Sequence, residues 1–228
     1  QSKLRNTLVL KQIPNIHFYS STFNFKFCST HKDYISTKYD NNKILLNVEK
    51  LLNDTIVSKK YNTDLIDDKY FTEAKRLLPD SNYIGFSITQ GNAYRKKSWP
   101  IEKFLGVAKK ISKQNKKPVF FIERNNFDLI NKITKEIKNV LIPELESNLS
   151  GPPLVTALSK RLEKAISIDN GIMHMIGLAD IPMIVLFGPT NSKKFSPKIK
   201  NINILDSKIL YNSEEISKIK EQDVLNLI

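Results

Sequence analysis

The sequence has a single cysteine and no long apolar run. Cys28 is alone among 228 residues, so no internal disulfide can form, which fits a reducing cytoplasm. The longest convincing apolar run, residues 181–187, is far shorter than the roughly 20 residues that a membrane-spanning helix needs. Any membrane association of this chain is therefore expected to be peripheral.

Several motifs of common enzyme classes are also missing. The sequence contains no Gly-x-Gly-x-x-Gly, no Walker loop, no His-Glu-x-x-His and no Cys-x-x-Cys. Dinucleotide-binding, NTPase and zinc hypotheses therefore lack their usual support. The pairs Asn53-Asp54 and Asp67-Asp68 belong to no Asp-x-Asp triplet, so they do not indicate metal-dependent sugar transfer, and we expect no bound metal.

The positive charge is large but unpatterned. The formal net charge is +13, from 36 cationic and 23 acidic side chains, and only five of the cationic residues are arginine. Lysines are spread along the chain without interleaved aromatic residues, so no nucleic-acid partner is expected. Such a surface would favour approach to anionic lipid headgroups or to a phosphorylated glycolipid.

Alternating strands and helices are predicted from residue 83 onwards. Residues 183–187 are apolar without alternation, which is typical of a strand buried on both faces of a parallel sheet. A second short apolar run lies at residues 165–168. Between the two runs, the apolar stripe of a short helix is formed by Ile172, Met175, Ile176 and Ala179. The pattern predicts a doubly wound parallel sheet of six strands. These strands are residues 83–88, 118–122, 140–142, 165–168, 183–187 and 202–205. Helices are predicted after Pro100, over residues 127–138 and 154–164, and beyond residue 213.

Two loops share one edge of this predicted sheet. A right-handed strand, helix, strand unit brings Asp169, Asn170 and Gly171 to the same edge as residues 188–190. The helix that begins after Gly171 offers unpaired backbone N–H groups there, so a phosphate is the expected ligand. Asp169 could cap the helix, or could cap it and also contact a ligand. His174 lies off the apolar stripe, and both a structural and a chemical role remain open.

A third loop, residues 89–98, follows the first strand of this region. It carries three consecutive cations, Arg95, Lys96 and Lys97, just before Pro100, which suits a helix start. The cations are either a solvated run or a contact for a nucleotide diphosphate.

These two regions together resemble glycosyltransferase family 9, whose best-known members are the ADP-heptose:lipopolysaccharide heptosyltransferases. The first motif that resembles the family is Asp169-Asn170-Gly171-x-x-His174, followed by Pro182 and residues 186–190. The second is Thr89-Gln90-Gly91, then Lys97-Ser98-Trp99-Pro100. The family more often has Thr or Ser at the position of Asn170, a conservative difference because Asn also caps helices.

The resemblance implies a GT-B fold, in which two Rossmann-like domains face a cleft. Residues 81–228 would be the C-terminal donor-binding domain, and residues 1–80 a truncated or reduced N-terminal α/β portion on the acceptor side. The implied reaction is inverting, metal-independent transfer of heptose from ADP-heptose to a lipopolysaccharide core or related glycan. No further cofactor is implied.

The resemblance also assigns donor contacts. These are Thr89, Gln90, Gly91, Lys97, Asp169, Asn170, Gly171 and His174. Lys97 would contact the donor phosphates, while Trp99 and Pro100 shape the turn. A carboxylate in the loop after the second strand would hold the ribose; both Glu123 and Asp128 are candidates, and a local surface role for Glu123 with Arg124 is equally open.

The first 80 residues give few signals. Residues 7–10 and 16–19 are expected to form short strands, and residues 31–52 show mixed helical periodicity. The pairs at residues 53–54 and 67–68 are expected in turns. The Gly-Asp loop that supplies the family's catalytic base has no counterpart here, and the available carboxylates have no supporting context, so the base is unassigned. These carboxylates are Asp33, Asp40, Asp54 and Asp64. Because the chain starts at Gln1, it is expected to be part of a longer enzyme or a reduced homologue.

Two other functions remain open. The absent base favours a non-catalytic nucleotide-binding or nucleotide-sugar-binding module, and a family relative could use another nucleotide sugar. Whether it transfers heptose or another sugar, the chain is expected in the cytoplasm, with peripheral contact at the inner face of the inner membrane.

Overall fold

The structure is a computed structural model that describes residues 4–14, 17–23, 25–29, 42–54, 63–91, 94 and 96–228. The chain divides into two units, Gln1–Lys59 and Lys60–Ile228. The functional boundary at residue 81 stays a prediction, since it concerns which part binds the donor.

The described part of the first unit contains two helices, α1 (Leu4–Lys11) and α2 (Asn42–Leu52). The expected strand at residues 7–10 is wrong, because these residues lie within α1. A run of four residues is too short to show a period, so helix and strand could not be told apart there. The helical prediction holds for α2. The expected strand at residues 16–19 is wrong over residues 17–19, which form neither strand nor helix. Residue 16 and residues 31–41 lie outside the described ranges.

The second unit is built on five parallel strands. In chain order they are β1 (Tyr83–Ser87), β2 (Lys117–Phe121), β3 (Lys164–Ile168), β4 (Met183–Phe187) and β5 (Ile202–Asp206). Their order across the sheet is β2-β1-β3-β4-β5. All five residues of β1 and of β4 are buried, which explains why their sequences are apolar without alternation. The predicted doubly wound parallel sheet is confirmed.

One of the six predicted strands, at residues 140–142, is not formed. Residues 140–142 contribute only an isolated parallel bridge between Leu141 and Val119. Pro143 follows at once and begins a short helix, and a proline cannot donate to a strand ladder. The pairing therefore stops after one bridge on the outer side of β2.

Helices connect these strands and cover both faces of the sheet. They are α3 (Asp68–Leu77), α4 (Ile101–Lys113), α5 (Phe127–Glu136), α6 (Pro143–Glu146), α7 (Pro152–Ser159), α8 (Gly171–Leu178), α9 (Ser192–Phe195), α10 (Ser207–Tyr211) and α11 (Glu221–Leu225). Residues of α4, α5 and α11 form the core on one face, and residues of α3, α7 and α8 form the core on the other. Within the described ranges, none of the helices is both long enough and apolar enough to cross a bilayer.

Two helix boundaries correct the sequence analysis. Asp67 does not simply mark a turn, because it caps α3 by accepting a hydrogen bond from the backbone of Lys69 at 3.0 Å. Helix α7 ends at Ser159 instead of continuing to residue 164. The turn after it is held by Arg161, whose guanidinium donates to three backbone carbonyls just before β1, those of Leu78, Pro79 and Asp80.

The buried side of α8 is wider than the predicted stripe. Met173, which lies outside that stripe, is completely buried together with Ile176, whereas Ile172 and Met175 are half-buried. Gly177 is also buried, and a Cβ added there would lie 2.9 Å from the Pro197 side chain. The helix is thus enclosed on more than one side.

We expect Gly188→Ala to destabilise the second unit. A Cβ added to Gly188 would lie 2.8 Å from Cβ of Ile216 and 2.9 Å from the carbonyl oxygen of Glu214. Since one of these neighbours is backbone, the clash requires a chain shift, and overpacking of this kind costs about 1–3 kcal/mol. Gly91→Ala is the matched control, because a Cβ at Gly91 meets nothing within 4 Å. Urea denaturation of both variants checks the difference, and equal free energies of unfolding would contradict this packing.

Candidate functional site

The site lies where the strand order reverses direction. From β1 the chain first moves outwards to β2, and then returns to the other side of β1 to form β3. Ser87 and Ser167 are partners in the parallel register of β1 and β3, so the loops after these strands lie beside each other. Open α/β sheets bind ligands at such a switch point, at the carboxyl ends of the strands.

An ion pair joins these two loops. The ammonium of Lys97 bonds the carboxylate of Asp169, and it also lies 3.5 Å from the backbone carbonyl oxygen of Asp169. The two side chains are only 12% and 7% exposed. Because an isolated buried charge is costly, each charge needs the other at this position. The pair therefore holds a cation and an anion at the switch point, 72 residues apart in sequence.

The loop that carries Lys97 is anchored on both sides. The side-chain oxygen of Gln90 accepts a hydrogen bond from the backbone of Lys97 at 2.9 Å. The Trp99 ring is buried, and its indole nitrogen donates to the carbonyl of Ile219 at 3.0 Å. Pro100 then caps α4, as the sequence predicted. These hydrogen bonds fix the position of the Lys97 backbone, from which its side chain reaches Asp169.

Asn170, not Asp169, is the cap of α8. Its Oδ1 accepts from the backbone of Met173 at 2.8 Å, which is the N-cap hydrogen bond. Its Nδ2 donates to the hydroxyl of Ser87 and to the carbonyl of Thr89, both at 2.8 Å. Asn170 thus ties the start of α8 to the loop after β1, while Asp169 is left to pair with Lys97.

The start of α8 is open to a ligand. Gly171 is exposed, and a Cβ added there would meet nothing within 4 Å. The first backbone N–H groups of a helix and its positive dipole end attract anions. Thr89, Gln90, Gly91, Lys97, Asp169, Asn170 and Gly171 are therefore brought to one edge, as the sequence indicated.

His174 lies on the first turn of α8, close to the ion pair. Its side chain is exposed, yet the pKa of His174 is lowered because the surrounding protein disfavours the charged ring. Asp169 acts in the opposite direction, and Lys97 adds to the lowering. The surroundings thus favour the neutral ring, in which one nitrogen can donate and the other accept.

The carboxylates proposed for the ribose follow β2: Glu123 lies in the loop after the strand, and Asp128 lies in the first turn of α5. Glu123 and Asp128 are both exposed, and neither forms an ion pair within the described residues. Arg124 does not pair with Glu123, because its guanidinium bonds the backbone carbonyls of Glu144, Ser147 and Leu149. The Glu123–Arg124 alternative is therefore not realised, and Glu123 and Asp128 both remain candidates.

A cavity of about 420 Å³ opens between the ends of β1 and β2. Its wall is largely apolar, with Trp99, Phe104 and Leu129, and Gln90 and Asn126 supply polar groups. Thr89, Gln90 and Ser98 of the loop after β1 line this cavity, whereas Lys97 and Asp169 do not. The cavity and the Lys97–Asp169 pair therefore adjoin the same loop.

Glu144 is a titratable group that the sequence analysis missed. Burial raises the pKa of Glu144 to about 7, although a hydrogen bond from the backbone of Ile122 and the charge of Arg124 oppose this. Nothing in the sequence around residue 144 signalled this, because burial depends on contacts with distant parts of the chain.

We expect Glu144→Gln to remove a pH dependence of stability. The pKa of Glu144 is raised in the folded chain, so the unfolded chain loses this proton first as the pH rises from about 4.5 to 7. Stability associated with Glu144 is therefore complete below pH 4.5 and falls by up to about 3 kcal/mol at pH 7. Denaturation of both proteins between pH 5 and 8 checks this; parallel stability profiles would contradict it. Gln retains the oxygen that accepts from Ile122.

Comparison with known proteins agrees with this architecture. The sequence model of Glycosyltransferase family 9 (heptosyltransferase) matches residues 49–225. A search among curated proteins finds no significant match.

Solved structures show the same fold. A glycosyl transferase family 9 protein from Veillonella parvula DSM 2008 superposes with a TM-score of 0.70 at 22% identity, covering 87% of this chain and 60% of that one. E. coli heptosyltransferase WaaC with ADP gives a TM-score of 0.65 at 14% identity, covering 88% and 59%. The UDP-GlcNAc 2-epimerase of Methanocaldococcus jannaschii gives 0.53 at 12% identity, covering 82% and 52%. The chain thus spans about 60% of the length of its first two structural relatives.

Proposed function

The chain belongs to glycosyltransferase family 9, and from this premise we propose that it binds a nucleotide-sugar donor and serves in transfer of its sugar to a glycan. The donor proposed is ADP-heptose, and the acceptor is a lipopolysaccharide core or a related glycolipid. Transfer proceeds with inversion and without a metal. The observation that carries the proposal is the Lys97–Asp169 pair beside the open start of α8, at the sheet's switch point.

Each part of the site has a proposed role toward the donor. The diphosphate lies between Lys97, the turn of Thr89 to Gly91, and the helix that begins at Gly171. As the bond to the sugar breaks, negative charge develops on the leaving phosphate, and the ammonium and the helix dipole stabilise it. This electrostatic contribution does not require a metal.

The remaining residues orient the donor. Asp169 can accept hydrogen bonds from sugar hydroxyls while it stays paired with Lys97, and Asn170 holds the two loops together. His174, kept neutral by its surroundings, supports this loop or contacts the ligand. Glu123 or Asp128 binds the ribose, because an exposed carboxylate at the end of the second strand suits its hydroxyl groups.

The choice of ADP is supported by two structures of one structural relative. E. coli WaaC is described with ADP and with ADP-2-deoxy-2-fluoro heptose, although only 14% of the aligned residues are identical. A fold shared with a UDP-GlcNAc 2-epimerase shows that the architecture itself does not select a nucleotide. A different nucleotide sugar is therefore the nearest alternative.

No residue of this chain is assigned as the catalytic base or to the acceptor site. Of the four carboxylates considered in the first part of the chain, Asp33 and Asp40 lie outside the described ranges. The site at the switch point can bind a donor without them. A nucleotide-sugar-binding module without transfer activity is thus the second candidate function, favoured by the missing Gly-Asp loop.

The proposed location follows from the acceptor. A glycolipid acceptor would be met in the cytoplasm at the inner face of the inner membrane, and the net charge of +13 favours peripheral attraction to an anionic surface.

Calorimetric titration tests the donor assignment. ADP, UDP and GDP are titrated separately into the folded chain. ADP is expected to bind most tightly, whereas tighter UDP or GDP binding would overturn the choice of nucleotide. Absence of binding by all three would overturn the donor site itself. Incubation with ADP-heptose and a lipopolysaccharide acceptor then separates a transferase from a binding module, because only the transferase releases ADP in an acceptor-dependent way.

A further inference from the structure

The cavity of about 420 Å³ between the ends of β1 and β2 has an uncharged lining. None of the described residues that form its wall has a charged side chain. The apolar part of this wall includes Ile88, Trp99, Ile101 and Leu129. A diphosphate would lose its hydration in such a space without gaining a cation, whereas a flat, uncharged heterocycle suits it.

One polar group of this wall has no partner in the protein. Asn126 stands at the N-cap position of α5, yet its side chain forms no capping hydrogen bond. The residue is half-buried, and its amide has no hydrogen-bond partner within the described ranges. An Asn at this position ordinarily caps the helix, so here both its donor and its acceptor are left for another molecule.

The cavity adjoins the proposed diphosphate contact. Gln90 lines the cavity and accepts a hydrogen bond from the backbone of Lys97 at 2.9 Å. Ser98, the next residue after Lys97, also lines it. Asp128, one of the candidates for the ribose, follows Asn126 closely, in the first turn of α5. Diphosphate, ribose and base would therefore follow one another from Lys97 toward α5.

We propose that this cavity binds the nucleobase of the donor and that Asn126 reads the hydrogen-bonding edge of the base. This inference rests on the proposed function, since it concerns the same nucleotide sugar. An Asn amide can accept from the exocyclic amine of adenine and donate to the adjacent ring nitrogen. Guanine presents a carbonyl oxygen in place of that amine, so the same pair of hydrogen bonds cannot form. The contact thus favours adenine over guanine.

Calorimetry on three proteins tests the role of Asn126. These are the unmodified chain, Asn126→Ala and Asn125→Ala, each titrated with ADP, GDP and inorganic pyrophosphate. Asn125 is the matched control, because it is the neighbouring residue of the same type, is exposed and does not line the cavity. Asn126→Ala is expected to weaken ADP binding about tenfold, as the loss of a bidentate contact to a base does, and to leave pyrophosphate binding unchanged. Its preference for ADP over GDP should shrink, whereas Asn125→Ala should behave like the unmodified chain.

The tryptophan provides an independent measurement on the unmodified chain. Trp99 is the only tryptophan of the sequence and lines the cavity. Its ring is 2% exposed and is held by the hydrogen bond to Ile219. A base that enters the cavity displaces water beside this ring, so ADP should change its fluorescence emission, whereas pyrophosphate should not. Emission that ADP leaves unchanged, or that pyrophosphate changes equally, would overturn the proposal.

The calorimetry also separates this proposal from the proposed function. If ADP and pyrophosphate bind the unmodified chain and Lys97→Gln abolishes both, but Asn126→Ala binds ADP as tightly as Asn125→Ala does, the base site is wrong and the diphosphate contact stands. Equal weakening of ADP and pyrophosphate in Asn126→Ala would show a structural role only and would also overturn the base contact. If neither ligand binds the unmodified chain, the donor site is wrong and the base site with it.

Discussion

Replacing Lys97 by Gln is expected to abolish detectable ADP binding. The substitution removes the cation nearest the helix start, and it leaves the carboxylate of Asp169, 7% exposed, without its partner. Loss of one partner of a fully buried pair costs about 3–5 kcal/mol. We expect about 2–3 kcal/mol of unfolding free energy to be lost, because this pair lies at an open edge. Calorimetry with ADP and denaturation in urea measure the two effects.

Lys96→Gln is the control for the Lys97 substitution. Lys96 precedes Lys97 and is exposed, and its backbone has a φ of +48° that Lys and Gln tolerate equally poorly. It should bind ADP normally and unfold like the unmodified chain. The double variant Lys97→Gln with Asp169→Asn should recover most of the lost stability without recovering ADP binding. Recovery of binding would show that Lys97 acts only by neutralising Asp169.

Replacing Asn170 by Ala is expected to cause the second large effect. The change removes the N-cap bond to Met173 and leaves the hydroxyl of Ser87 and the carbonyl of Thr89 without this donor. A lost cap costs about 1 kcal/mol and each lost hydrogen bond a similar amount. The expected loss is about 2–4 kcal/mol, or about 5–15 °C in Tm for a chain of this size. Thermal unfolding measured by circular dichroism checks this.

Two further substitutions define what Asn170 contributes. Asn191→Ala removes a cap that accepts one bond, from Lys194, so a loss of only about 1 kcal/mol is expected. Asn170→Thr introduces the residue type more common in the family; it can cap α8 but has no amide to donate across to the loop after β1. Its stability should lie between those of Asn170→Ala and the unmodified chain. If Asn170→Ala and Asn191→Ala lose equal stability, the link between the two loops contributes nothing.

The sheet and its edge could be predicted because they depend on local patterns. Apolar runs such as residues 183–187 are typical of strands buried on both faces, and a right-handed strand, helix, strand connection brings the loops of Lys97 and Asp169 to one edge. Helix α3 was missed because its sequence has a low apolar content and its only completely buried residue is Ala74. Its packing against α7 is a tertiary effect that no local window contains.

The details of the site depend on contacts across the chain. The sequence assigned the capping role to Asp169, whereas Asn170 takes it, because Asp169 is drawn to Lys97. This choice could not be made from either loop alone. The raised pKa of Glu144 likewise follows from its burial in the folded chain, and the approach of Phe195 to Lys97 follows from the pairing of β3 with β4. These consequences of sheet topology have no signature in the neighbouring residues.

A crystal structure of the chain grown with ADP tests the central claim most directly. The diphosphate is expected at the switch point, bonded to the Lys97 ammonium and to backbone N–H groups at the start of α8. The ribose should lie toward the end of β2. A diphosphate bound at any other edge of the sheet, with the Lys97–Asp169 pair untouched, would contradict the proposed donor site while leaving the family membership and the fold intact.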